Sequence, residues 1–131
     1  MQDTPDPVDL LEAVSAFLRD EAMPALSGAT AFRARVAANA LDIVRRQIQL
    51  APAAEQAELE SLQALLDDRS GNLAELNRRL CEHIRAGRID LFTPGLAAHL
   101  RRITLDKLAV DQPGYAAYGR AIASTFLDPK P

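Results

Sequence analysis

Soft and imidazole ligands, which could also supply or activate a nucleophile, are few in this chain: one cysteine, Cys81, and two histidines, His83 and His99. Cys81 and His83 stand at i, i+2, so a helix would point them to different faces. There is no Glu-x-x-His pair for a carboxylate-bridged metal site in a bundle, and no paired cysteine motif for zinc. Gly-x-Ser-x-Gly, P-loop and Gly-x-Gly-x-x-Gly patterns are missing as well. The expectation is no metal, no cofactor and no catalytic residue, and the reading leans away from an enzyme. Cys81 borders the apolar face of its segment, where a free thiol behaves as a small hydrophobe.

The cations fall into three arginine pairs, Arg45-Arg46, Arg78-Arg79 and Arg101-Arg102. Together they could converge on an anion such as a phosphate. Asp42 to Arg46 and Glu75 to Arg79 are i, i+4 partners, however, so solvated helix faces are the expectation. Lys107 is different. It is the only lysine outside the tail of a chain with thirteen arginines, and it projects among Leu96, Leu100 and Ile103 with Asp111 four residues on. A charge on an inner face must be paired or must titrate, because burying it alone costs several kcal/mol. In one reading Lys107 and Asp111, with Asn39 and Arg35, line a small pocket for an anionic or acyl ligand. In the other, the lysine stem carries its ammonium out to water near the helix C-terminus, where a cation suits the dipole.

The elements that must position these groups are helical. The chain has 131 residues, 48% of them hydrophobic and only 5% aromatic, so a core would be built from Leu, Ile, Val and Ala. Asp6-Pro7 supplies an N-cap and a proline at the first helical position. Leu10, Val14, Phe17 and Leu18 then recur at i, i+4, i+7, i+8. Met23-Pro24 is expected to end this helix. A second helix over about 30–50 carries an apolar arc half its circumference wide, which predicts a central, buried element. Pro52 is expected to open a third helix with a stripe of Leu59, Leu62, Leu65 and Leu66. A fourth, about 72–86, carries Leu73, Leu76, Leu80 and Ile84 and stops at Gly87. Residues 88–92 read as an extended connector, and Thr93-Pro94 as the cap of a fifth helix that ends at Asp111-Gln112-Pro113-Gly114. In a last helix Tyr115, Tyr118, Ile122 and Phe126 either cap the core, the favoured reading, or form an interface that could pair two copies as a homodimer. The prediction is an all-α, single-domain bundle of five to six helices over residues 1–131, with short flexible ends at 1–5 and 128–131.

Charge and composition exclude other classes. Fifteen basic against eighteen acidic residues give a net charge of −3, which does not concentrate a phosphate backbone, so nucleic acid is not an expected partner. No apolar run approaches the ~18 residues that a membrane helix needs. An acidic start without an apolar stretch predicts no secretory signal, and a single cysteine fits a reducing cytoplasm. The arginine and alanine excess suggests a GC-rich bacterial source.

The stretches Phe32 to Leu41 and Asp106 to Tyr115, with the opening from Pro7 to Leu26, resemble an uncharacterised family of short bacterial proteins, over roughly residues 2–118. What the resemblance implies is context. Genes of that family lie beside a predicted aminoglycoside-type phosphotransferase and an acyl-CoA dehydrogenase, which suggests an accessory protein in acyl-CoA or related carboxylic-acid metabolism. It implies no catalytic residue. Two functions therefore stand at this point: a non-catalytic accessory or interaction protein for a kinase-like phosphotransferase or acyl-CoA dehydrogenase, and a small-ligand-binding helical module.

Overall fold

Asp6 starts the first helix as the sequence predicts: its carboxylate accepts from the backbone N–H groups of Val8 at 2.7 Å and Asp9 at 2.9 Å, with Pro7 at the first helical position. The computed structural model describes residues 4–127, with side chains to residue 124; the remaining ends, including most of the tails expected to be flexible, lie outside the described residues. Among the described residues every regular element is a helix. Helix α1 (Pro7–Phe17) runs through a π-helical turn (Leu18–Ala22) into the short α2 (Met23–Ala25), and α3 (Gly28–Leu66), α4 (Leu73–Arg85), α5 (Leu96–Asp111) and α6 (Ala116–Leu127) follow. The all-α class is as predicted, with five helices of more than two turns.

One prediction fails at once. Pro52 does not begin a helix but lies inside the 39-residue α3. Proline removes one i→i−4 hydrogen bond and crowds the preceding turn. Here Ala51, Ala53 and Ala54 beside it are the strongest helix formers, and the helix continues through the defect. Two compact units divide between Leu50 and Ala51, two residues before the proline.

The first unit has an inverted pattern. Its fully buried side chains are Ser15 and Ala38. Along the first stretch of α3 the covered positions are Ala31, Ala34, Ala38, Leu41, Asp42, Arg45 and Arg46, most of which recur on one face. The small alanines permit close approach, and the polar members of the face bond to α1. The apolar arc expected to be central points outward instead. Phe32 is 64% exposed, and Val36, Ile43, Val44 and Ile48 are exposed with it. On α1, Leu10, Val14 and Phe17, three of the four residues that the sequence places on one face, are likewise exposed.

The second unit is built the ordinary way. Leu62, Leu76, Leu80, Ile89 and Leu96 form a buried cluster, with Leu59, Leu65, Leu66 and Leu73 packed against it. Each fully covered leucine contributes about 2 kcal/mol through removal of apolar surface from water. Asn72 and Glu75 form a reciprocal capping box at the start of α4. At its end Gly87, at φ +68, donates to Ile84, and Arg88 donates to His83 at 2.9 Å, the Schellman arrangement that the glycine predicted. The loop before α4 is tied by Asp68, which accepts from the Ser70 N–H at 2.8 Å and hydroxyl at 2.6 Å and pairs with Arg79. These bonds hold the Asp68 carboxyl below its ordinary range. Arg79 thus pairs with Asp68 and not with Glu75.

Candidate interaction surfaces

The four residues predicted to hold a ligand are all exposed: Arg35 and Asn39 on the first stretch of α3, Lys107 and Asp111 on α5. The first two belong to one unit and the last two to the other. Asn39 accepts from Arg19 at 3.1 Å. An exposed Lys107 needs no buried partner. One open depression of about 310 Å³, lined by Glu60, Gln63, Ala64, Asp67 and Arg69, contains none of the four. Cys81 is exposed and not packed as a small hydrophobe. Among the described residues no group of three or more His, Cys, Asp and Glu is placed to hold a metal ion.

Two polar clusters escape a reading of local spacing. In the first unit the Ser15 hydroxyl donates to Asp42 at 3.0 Å, and Arg19 donates to Asp42 at 2.7 Å and to Ser15. Arg45 approaches Glu12 at 3.7 Å. Burial pushes the Asp42 carboxyl up, but the bonds from Arg19 and Ser15 and the charges of Arg19 and Arg45 outweigh it and leave it below its ordinary 3.8. Asp42 therefore pairs across helices, with Arg19 and Ser15. The cluster consumes its own charges and ties α1 to α3.

In the second unit His99 is 2% exposed, and its Nδ1 lies 2.9 Å from the Ser61 hydroxyl. Burial pushes this imidazole below its ordinary 6.5, with Glu58 opposing and Arg102 adding to the shift. A serine beside a histidine suggests nucleophilic catalysis. The geometry does not supply it: Nε2 is buried without a hydrogen-bond partner, so no carboxylate orients the ring. Glu58 instead accepts from Asn77 at 2.7 Å. The arrangement is a neutral histidine built into the helix packing.

Among the described residues the most exposed large apolar side chains are Leu91 and Phe92, at 83% and 91%. They sit between α4 and α5, where the sequence suggested an extended connector. The backbone there is a series of turns. Ile89, 6% exposed, anchors it in the core. Asp90 then organises the turn: its carboxylate accepts from the Phe92 N–H at 3.0 Å and the Thr93 hydroxyl at 3.2 Å, while the Thr93 hydroxyl accepts from the Asp90 N–H at 3.0 Å. Thr93 is thereby spent on the turn and does not cap α5, whose N-cap is Gly95 at φ +89. Four local bonds, including Thr93 N–H to the Asp90 carbonyl at 3.0 Å, hold two greasy side chains in water. The sequence signal was present in Asp90-Leu91-Phe92-Thr93-Pro94-Gly95, two large apolar residues inside a turn composition.

No helix among the described residues is long and apolar enough to cross a membrane. Neither the curated proteins nor the solved structures contain a match to this chain. A family model does match, over residues 24–115, which spans the exposed turn, about half of the first unit and most of the second. The chain belongs to the family described as a domain of unknown function, DUF6285.

Proposed function

We propose that this protein is a non-catalytic interaction protein that engages a protein partner through the Leu91–Phe92 turn. The observation that carries the reading is that the two most exposed large apolar side chains among the described residues are held on a turn already ordered by its own hydrogen bonds. An aromatic and an aliphatic anchor fixed before binding lose little conformational entropy on docking. The resemblance of Phe32 to Leu41 and Asp106 to Tyr115 to a bacterial family points to the partner: a kinase-like phosphotransferase or an acyl-CoA dehydrogenase encoded alongside, with this chain as its accessory in the cytoplasm.

Co-expression with each of these two enzymes, followed by size-exclusion chromatography, tests the proposal. One enzyme is expected to co-elute with the wild-type chain. The doubly substituted Leu91→Ser, Phe92→Ser chain is expected to bind at least about 30-fold more weakly, as loss of a central anchor does, with its thermal melting unchanged. Elution of all species separately, or co-elution that survives the substitutions, overturns it.

A further inference from the structure

The first unit carries a second exposed surface whose chemistry identifies what covers it. Leu10, Val14 and Phe17 line the outer face of α1, and α3 turns Phe32, Val36 and Ile48 outward, each of these side chains between 43% and 64% exposed. With Ile43, Val44 and Leu50, also exposed, they offer on the order of 700 Å² of apolar surface. That approaches the roughly 800 Å² that each partner contributes to a standard stable interface, and exceeds what scattered surface hydrophobes require. Of the residues predicted to form an interface through the last helix, Tyr115 is exposed, Tyr118 and Ile122 are half-buried, and Phe126 falls among the side chains not described.

Charge divides these two faces. Residues 7–25 hold four acidic groups and one arginine, a net −3, whereas residues 28–50 hold four arginines and one aspartate, a net +3. Arg19 is paired with Asp42 and Arg45 with Glu12 within the unit. Of the other charges, Asp9, Asp20 and Glu21 are exposed on the segment of α1 and α2, Arg33 and Arg35 are exposed on α3, and Arg46 is half-buried. One unit thus displays an acidic apolar face and a basic apolar face, each the complement of the other.

We infer that the first unit pairs with the first unit of a second copy of this chain, the acidic face of α1 in one meeting the basic face of α3 in the other. A two-fold axis makes the contact twice, so both faces of both copies are covered at once. Pairing α1 with α1 would set acid against acid, which the charge pattern disfavours. The surface lies in the first unit and the Leu91–Phe92 turn in the second, so this inference stands independently of the proposed function.

Light scattering coupled to size-exclusion chromatography of the full chain, over a dilution series and at two salt concentrations, tests the pairing. The wild type is expected to be a dimer that weakens with salt. Phe32→Glu with Val36→Glu is expected to raise the dissociation constant at least 100-fold while helical circular dichroism is retained. Charge reversal decides the orientation without touching the apolar residues. A chain with Arg33→Glu and Arg35→Glu, and another with Asp20→Arg and Glu21→Arg, should each be monomeric alone and form a mixed dimer when combined. A monomeric wild type, a dimer that survives the Phe32 and Val36 substitutions, or reversed chains that fail to restore each other overturns the inference.

Discussion

The two units use the same residue types in opposite directions. In the second, leucines from α3, α4 and α5 meet in a closed cluster, and the one buried imidazole is neutral and bonded to a serine. In the first, alanines and a serine–arginine–aspartate cluster form the seam, and the larger apolar side chains face water. Water-exclusion holds the second unit together. Polar pairing and small-residue fit hold the first, whose apolar surface is left for another molecule. An amphipathic helix fixes which residues share a face, but not whether that face meets its own chain.

The largest expected effect that sharpens this contrast is in the second unit. Leu76→Ala removes a side chain with no exposure and is expected to cost about 3–4 kcal/mol in chemical denaturation. Asp42→Ala, which strips the first unit's seam of its acceptor, is expected to cost about 1–2 kcal/mol, since both ion-pair partners retain some contact with water. A cost for Asp42→Ala equal to that of Leu76→Ala would break the comparison. The smallest effect comes from acid. His99 binds its proton less readily folded than unfolded, so its contribution is complete above about pH 6.5 and declines as pH falls below that value. The Asp42 carboxylate works in a lower window: its contribution is complete above about 3.8 and is lost as pH falls further. Amide exchange followed from pH 7 to pH 4 should therefore show α4 and α5 losing protection before α1 does, and His99→Gln should abolish the earlier step.

Much of the local structure was legible. Asp6-Pro7, Gly87 and the stop after Asp111 were read correctly because caps and breakers act within a few residues. The leucine stripe of Leu59, Leu62, Leu65 and Leu66 was read correctly for the same reason, as a pattern contained in one helix. What failed was non-local. Ser61 and His99 are 38 residues apart, and Arg19 reaches Asp42 across 23; no spacing rule connects them. Thr93 looked like a helix cap because threonine before proline usually is, but the nearer Asp90 took its hydroxyl. The inward direction assigned to Phe32 and Val36 assumed that the widest apolar arc belongs at the centre of its own chain. The candidate interaction turn was overlooked because Leu91 and Phe92 form no periodic pattern.

Pro52 leaves the Ile48 carbonyl without the amide that would normally complete its rung of the helix. Unwinding of α3 meets a missing rung there, so the coupling along the helix is weaker at that point than elsewhere. A single uninterrupted rod would melt as one cooperative block. This one contains a firebreak next to the boundary between its two halves, which lets the polar-seamed half loosen while the leucine-cored half keeps its order.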